Sequence, residues 1–254
     1  MRLSRMTKIV GRPKGLYLAF FKKIKKNPFP IFVPIFGEIK KYNEILNIES
    51  NFVMDALRDE TVEGYIDKKK NPCIIDCGVN VGITIRWWFH LNSNAKVYGI
   101  DMLKEAQEFT SGVLGENLKK NKQSKKYDFV PIVCALYNKV GVEFKINTSD
   151  PLHGNNNIFD NEKATKNRVV VSKTLDSVFK TKGVEEVALL KVDLEGAGGY
   201  ALEGGLELLK KTKHIVFETH NEAECKLAAK ILSSTGFLLR KLSGPQMWWE
   251  NSKI

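Results

Sequence analysis

The stretch Pro72-Cys-Ile-Ile-Asp-Cys-Gly-Val-Asn-Val-Gly-Ile-Thr84 decides the fold of this 254-residue chain. A short apolar run contains Asp76, the turn after it contains Gly78, Asn80 and Gly82, and a helical pattern follows. A buried strand that passes through a glycine-rich turn into a helix is typical of nucleotide-like cofactor sites, because glycine lets the backbone approach a ligand. The spacing differs from the G-x-G-x-x-G of dinucleotide sites. The sequence therefore predicts a cofactor site at this turn, with these four residues among its contacts.

The acid in the strand indicates the charge of the cofactor. Asp76 would attract a sulfonium and an α-ammonium group, and it would repel a pyrophosphate. A second predicted strand ends in another acid, Asp101, 19 residues after Gly82. A carboxylate there can accept hydrogen bonds from both hydroxyls of a ribose. An ordinary glycine-rich turn explains the first acid alone, but acids at two consecutive strand ends favour an adenosine-containing cofactor.

Strand and helix patterns alternate from this turn to the C-terminus. Strands are predicted over 73–77, 96–101, 128–134, 187–193, 213–219 and 236–241. Helices are predicted over 52–67, 82–91, 104–121, 174–180, 200–211 and 221–235. This alternation predicts an α/β fold with a mostly parallel sheet and helices on both faces. Runs at 140–146 and 168–174 around a polar loop indicate an inserted β-hairpin, and Trp248-Trp249 fits a strand packed on the edge of the sheet.

The positive charge of the chain is concentrated at its N-terminus. The net charge is +11, and residues 1–41 hold 11 basic residues and one acid, so +10 belongs to this segment. We divide the chain into a basic, aromatic appendage at 1–50 and one domain at 51–254. The segment predicts RNA or an anionic membrane surface as its partner, and a helix packed on the domain is the remaining interpretation. The sequence indicates no oligomeric state.

Composition and cysteine content exclude several classes of protein. The chain is 43% hydrophobic and 27% charged, which excludes a collagen-like or wholly disordered protein. Four cysteines in a chain of this size do not form the disulfide framework of a small secreted domain, and no segment has the roughly 18 apolar residues of a spanning helix. We predict a cytoplasmic protein, with peripheral membrane association left open. Cys73 and Cys77 are predicted to be buried thiols, and no metal site is predicted.

Seven motifs carry a resemblance to a known family. They are Asp76-Cys-Gly-Val-Asn-Val-Gly82, Val97-Tyr-Gly-Ile-Asp101, Glu116-Asn-Leu-Lys-Lys-Asn121, Val133-Cys-Ala-Leu-Tyr137, Thr174-Leu-Asp176, Leu190-Lys-Val-Asp-Leu-Glu-Gly-Ala197 and Ile215-Val-Phe-Glu-Thr-His220. In order and spacing they resemble the FkbM family of S-adenosylmethionine-dependent methyltransferases over about 70–240. The resemblance implies a class I, Rossmann-like domain, S-adenosylmethionine as cofactor, and O-methylation of a sugar, glycolipid or other hydroxylated metabolite. We place Met102, Ala135 and Asp193 in the cofactor site with the residues named above.

Two positions depart from the pattern of that family. Position 101 is Asp where the family usually has Glu, so the carboxylate is kept and its reach is shortened. Gly198 and Gly199 stand where the family commonly has a second acid, which leaves the substrate class open. The alternatives are an RNA methyltransferase that holds tRNA or rRNA with its basic segment, and a non-catalytic cofactor-binding module.

Polar side chains also follow the later strands. Asp193 and Glu195 end the fourth predicted strand, and Glu218 and His220 end the fifth. The carboxyl ends of parallel strands share one edge of the sheet, where ligands bind, so we expect these four side chains to converge. For transfer to a hydroxyl, His220 or Asp193 is the candidate base, and Glu218 or Glu195 would orient the histidine. Helix capping is the structural alternative.

Overall fold

The turn after Cys77 lies at the centre of the sheet in the computed structural model, which describes residues 31–33, 37–39, 58–120, 127–147, 151–152, 156–159 and 167–254. Most of the predicted appendage at 1–50 and the start of the helix predicted over 52–67 lie outside the described residues.

The described elements follow one another in the predicted alternation. The strands are β1 (Ile31–Val33), β2 (Gly37–Ile39), β3 (Cys73–Cys77), β4 (Lys96–Asp101), β5 (Asp128–Val133), β6 (Ala135–Leu136), β7 (Glu143–Asn147), β8 (Asn167–Lys173), β9 (Val187–Val192), β10 (Thr212–Glu218), β11 (Phe237–Ser243) and β12 (Gln246–Asn251). The helices are α1 (Glu60–Lys68), α2 (Ile83–Leu91), α3 (Lys104–Lys120), α4 (Leu175–Phe179), α5 (Gly198–Glu203), α6 (Leu206–Leu209) and α7 (Glu222–Thr235).

Seven of the described strands form the main sheet, in the order β11-β12-β10-β9-β3-β4-β5. The five strands from β10 to β5 pair in parallel, and β12 runs antiparallel to both of its neighbours. The predicted α/β fold with a mostly parallel sheet is confirmed. The predicted edge position of Trp248-Trp249 is wrong, because β12 lies between β10 and β11. Both tryptophans are buried, as side chains on the two faces of an interior strand are.

Helices cover both faces of this sheet, and each face has its own apolar core. Ile85 and Trp88 of α2 pack with Trp248 on one face. Ala228 and Leu232 of α7 belong to the core on the other face. Every residue of β9 is buried, which is typical of a central parallel strand. Because β9 pairs in parallel with β3 and β10, the carboxyl ends of these three strands lie at the same edge of the sheet.

Two predicted elements are divided in the structure. The strand predicted over 128–134 ends at Val133, and β6 then leaves the main sheet to pair with β8. The helix predicted over 200–211 is interrupted, because Asp176 accepts hydrogen bonds from the backbone N–H groups of Glu207 and Leu208 and so caps α6 separately. The predicted hairpin is present, since β7 and β8 pair antiparallel in a small sheet with β6.

In the parts of the chain that are described, no helix combines the length and the apolar character needed to cross a membrane.

Candidate active site

A cavity of about 470 Å³ opens at the carboxyl ends of the central strands. β3 lies between β4 and β9, so the chain order reverses here, and open α/β sheets bind ligands at such a point. The wall also includes Asn156 and Ile158 of the insertion. Eight residues predicted from the sequence line the cavity: Gly78, Asn80, Asp101, Met102, Ala135, Asp193, Glu195 and Glu218.

Asp76, in β3, is not among the residues that line the cavity, and its predicted contact with the cofactor stays a prediction. Its side chain is fully buried. The Oδ2 atom accepts hydrogen bonds from Thr84 Oγ1 at 2.5 Å and from Trp88 Nε1 at 2.7 Å, and Oδ1 lies 3.3 Å from Lys191 Nζ. The carboxylate therefore joins α2 and β9 to β3.

Lys191 is the central residue that the sequence analysis missed. It is buried in β9, donates a hydrogen bond to the carbonyl of Gly78 at 2.8 Å, and lies 3.4 Å from Asp193 Oδ2. Burial lowers the pKa of this ammonium group, but the carboxylates of Asp76 and Asp193 outweigh burial and hold the pKa above its ordinary value. Lys191 thus ties the glycine turn to the end of β9. A single lysine inside an apolar strand was the signal in the sequence.

The two glycines of the turn have different tasks. Gly78 has φ +87°, and a Cβ atom there would lie 1.9 Å from the carbonyl oxygen of Asp193. The turn can therefore pass directly over the end of β9 only with glycine at this position. Gly82 has φ +70°, precedes α2, and would place a Cβ atom 2.5 Å from Thr110 of α3. Gly82 is not among the residues of the cavity wall, so the structure shows its role in helix packing, and its contact with the cofactor stays a prediction.

Asp101 faces the cavity at the end of β4. Its Oδ2 atom accepts a hydrogen bond from the backbone N–H of Asn80 and its Oδ1 atom accepts one from Leu103, both at 2.9 Å. Burial raises the pKa of this carboxyl, and the two N–H groups partly offset the effect. Each carboxylate oxygen can accept a second hydrogen bond, so a ribose can still be held here.

Four carboxylates surround His220, which is not itself among the residues that line the cavity. Its Nε2 atom lies 3.4 Å from Asp193 Oδ1, 3.4 Å from Glu195 Oε2 and 4.0 Å from Glu218 Oε1, and its Nδ1 atom lies 3.5 Å from Glu224 Oε2. Glu195 and Glu224 raise the pKa of His220 to about 10 against the effect of burial. These carboxylates favour the protonated form of the ring, and the role of His220 as a base stays a prediction.

Glu224 is the second residue that the sequence analysis missed. It lies in the first turn of α7 with a buried side chain, and it accepts hydrogen bonds from the backbone N–H groups of Gly198 at 2.8 Å and His220 at 2.9 Å. It therefore joins the α5 segment to the loop before α7 and fixes His220 in front of β9. The acidic first turn after Asn221 was the available signal.

Comparison with known proteins decides the family. Residues 76–242 match the methyltransferase FkbM domain family. The chain belongs to this family. It is an S-adenosylmethionine-dependent methyltransferase, and the interpretation as a non-catalytic module is not supported. A search among curated proteins found no match.

Solved structures of methyltransferase folds are similar to the chain at low sequence identity. Fibrillarin from Aeropyrum pernix with bound S-adenosylmethionine is 10% identical, with 78% of this chain and 70% of that chain covered and a TM-score of 0.45. The fibrillarin pre-rRNA processing protein from Methanococcus jannaschii is 13% identical, with 80% and 73% covered and a TM-score of 0.45. A methyltransferase from Aquifex aeolicus is 14% identical, with 82% and 95% covered and a TM-score of 0.41. None of these similarities identifies the molecule that this chain methylates.

The cavity of this FkbM methyltransferase fits its cofactor. The volume lies within the range of small-molecule sites, and Gly78 leaves room over the end of β9. Asp101 has lone pairs for a ribose, and the carboxylates of Asp193 and Glu218 on the wall suit a sulfonium and an ammonium group.

Proposed function

We propose that this FkbM methyltransferase transfers the methyl group to a hydroxyl of a sugar, glycolipid or other hydroxylated metabolite. The observation that carries the proposal is the position of Asp193. It lines the cavity between Lys191 and His220, 3.4 Å from the ammonium nitrogen of one and 3.4 Å from the ring of the other. A carboxylate in this position is within reach of the cofactor and of an acceptor at the cavity opening.

The residues of the chain perform the transfer mainly by positioning. The bound cofactor supplies a methyl group on a sulfonium sulfur: its carbon–sulfur bond breaks, a carbon–oxygen bond forms, the electron pair stays on sulfur, and the hydroxyl proton is removed. Asp101 holds the ribose, and the turn at Gly78 supports the cofactor from below. Asp193 accepts the proton, since its carboxylate lies on the cavity wall within reach of an acceptor hydroxyl. Fixed alignment of oxygen, carbon and sulfur contributes most of the rate.

Methyl transfer from radiolabelled S-adenosylmethionine into fractionated cell material tests this proposal. We expect label in the soluble or lipid pool. Asp193→Asn should reduce transfer at saturating S-adenosylmethionine about 100-fold, because it removes the proton acceptor, whereas the lost attraction for the sulfonium should weaken cofactor binding measured by calorimetry by about tenfold or less. Asp67→Asn on the exposed side of α1 is the matched control and should transfer at the normal rate. Label in RNA alone, or full activity of Asp193→Asn, would contradict the proposal.

An RNA acceptor is the second candidate, and the charge of residues 1–41 favours it. Their +10 would follow the phosphates of tRNA or rRNA. Removing residues 1–41 should then leave cofactor binding unchanged and abolish transfer to RNA, with RNA binding by the intact chain falling steeply as salt rises. Binding that depends on anionic lipid and not on RNA would instead assign the segment to a membrane surface.

A further inference from the structure

We propose that Asp193, Glu195 and His220 form a binding site for one divalent cation beside the cavity. We call the region of these three residues the acceptor side of the cavity. The sequence predicted no metal site, but ligand atoms of these three residues lie within 4.8 Å of one another in the described part of the chain. The role of the ion rests on the proposed transfer to a hydroxyl, whereas the donor set is independent of it.

Two of the distances among the donors match those of ligands on one ion. The Nε2 atom of His220 lies 3.4 Å from Asp193 Oδ1 and 3.4 Å from Glu195 Oε2. Two ligands bound at about 2.1 Å and separated by a tetrahedral angle lie about 3.4 Å apart. The histidine is therefore spaced correctly from both carboxylates, which close on the ion by movement of their side chains.

Direct contacts among these three side chains satisfy neither their hydrogen-bonding capacity nor their charge. An N–H···O bond spans about 2.7–3.2 Å, and the one N–H that Nε2 can carry cannot point at two carboxylates at once. The carboxylates of Asp193 and Glu195 also repel each other. Positive charge at the centre of the group, within reach of all three, relieves both problems.

A buried carboxylate orients the histidine from behind, and this is a second observation that points to a cation. Glu224 Oε2 lies 3.5 Å from Nδ1 of His220, and the Glu224 side chain is fixed by backbone N–H groups of Gly198 and His220. Metal-binding histidines typically hold their other ring nitrogen against a carboxylate, which turns the free nitrogen toward the ion. Glu224 thus directs Nε2 at Asp193 and Glu195.

The fold delivers the three ligands from two neighbouring strand ends. Asp193 and Glu195 follow β9, where Glu195 has φ +49°, and His220 follows β10, which pairs with β9 in parallel. Two carboxylates and one imidazole without a thiol suit a small divalent ion such as Mn²⁺, Mg²⁺ or Zn²⁺. Because Asp193 and Glu195 line the cavity, the ion would lie beside the reacting oxygen.

This position defines the class of acceptor. An ion there can bind a hydroxyl together with an adjacent oxygen, as in a vicinal diol, and it lowers the pKa of the hydroxyl. With the ion bound the proton passes to water and Asp193 holds the ion, so the proton-accepting role given to Asp193 above is its role in the enzyme without the ion. The carbon–sulfur bond of the cofactor still breaks, and the carbon–oxygen bond still forms, in the same way.

Manganese binding by the full-length protein tests the site. The protein is treated with EDTA, exchanged into metal-free buffer and titrated with MnCl₂, and free Mn²⁺ is measured by electron paramagnetic resonance. We expect one bound ion per chain, and affinity reduced at least tenfold in Glu195→Gln, which removes a ligand and keeps the side-chain shape. Glu222→Gln on the exposed face of α7 is the matched control and should bind Mn²⁺ normally.

Calorimetry with S-adenosylmethionine on the same samples shows that Glu195→Gln is folded. Absence of Mn²⁺ binding, or equal binding by the unchanged protein and Glu195→Gln, would overturn the cation site. If methyl transfer to a hydroxyl persists in either case, the proposed function stands without the ion. Mn²⁺ binding without transfer to any hydroxyl would support the site and reject the proposed acceptor.

Discussion

Two sides of the cavity are built in opposite ways. The cofactor side consists of the glycine turn with Asp76 and Asp101, and the acceptor side consists of Asp193, Glu195 and His220. At the glycine turn, Asp76 and Asp101 have donors at hydrogen-bond distance, and Gly78 packs against the backbone of β9. At the other end, Asp193 and Glu195 point at one imidazole ring from 3.4 Å, and both line the cavity.

This difference indicates which side is complete before ligands bind. Steric fit and satisfied hydrogen bonds fix the cofactor side, so substitutions there should act on folding and on cofactor affinity. Unbalanced charge dominates the acceptor side, so substitutions there should act on ion binding, proton binding and turnover with little loss of structure. Lys191 connects the two sides, because it contacts both Asp76 and Asp193.

Gly78→Ala should have the largest effect. The new Cβ atom would lie 1.9 Å from a carbonyl oxygen at φ +87°, so the turn or β9 must move. We expect a loss of more than about 4 kcal/mol in the free energy of unfolding, measured with denaturant. Gly141→Ala is the matched control, since Gly141 has φ +84° with no atom within 4 Å, and it should lose about 1 kcal/mol. Equal losses would show that the turn does not press on β9.

Lys191→Met should follow, with a loss of about 3–5 kcal/mol in the free energy of unfolding. The substitution leaves the buried Asp76 carboxylate without its cation. Asp76→Asn in the same chain should restore part of the loss, and this coupling is the measured quantity. Lys210→Met, which removes an exposed ion pair with Glu207, should lose less than about 1 kcal/mol. Additive effects of the two buried substitutions would show that Lys191 and Asp76 do not stabilise each other.

Asp101→Asn should weaken cofactor binding about tenfold, because an amide replaces a carboxylate that holds the ribose hydroxyls. Calorimetric titration with S-adenosylmethionine measures the change. Asp128→Asn is the matched control, because it makes the same change at the exposed start of β5, and it should bind the cofactor normally. Unchanged affinity in Asp101→Asn would remove this residue from the cofactor site.

Local patterns were sufficient to predict most of the sheet. The predicted bounds of β3 and β4 agree with the structure, because an apolar run that ends in a polar turn is visible in a few residues. The break between β5 and β6 depends on pairing with β8, more than thirty residues away, and has no local signal. The position of β12 likewise depends on where the chain returns after β11.

The sequence predicted which residues meet at the cavity better than it predicted their tasks. The rule that parallel strands end at one edge brought Asp101, Asp193 and Glu218 to the same wall. The task of Asp76 depends on Lys191, which approaches from another strand and is supplied by tertiary structure alone. His220 meets Glu224 only four residues later in the chain, but its contacts with Asp193 and Glu195 depend on the pairing of β9 with β10.

The smallest effect should be a pH dependence that comes from His220. In protein freed of divalent cations, Glu195 and Glu224 raise the pKa of the folded ring to about 10. Unfolded histidine has a pKa of about 6.5, so the charged ring stabilises the fold fully below that pH, and the contribution is lost as the pH rises toward the folded value. Water screens these partly exposed groups, so we expect about 1 kcal/mol.

Two measurements follow this titration. Denaturant unfolding of the unchanged protein between pH 6 and pH 10 should show a decline in stability that His220→Gln lacks. The imidazole resonances in NMR spectra should titrate well above neutral pH, and closer to the ordinary value in Glu195→Gln. A midpoint near that ordinary value in the unchanged protein would show that the carboxylates do not hold the proton. It would also favour His220 as the base.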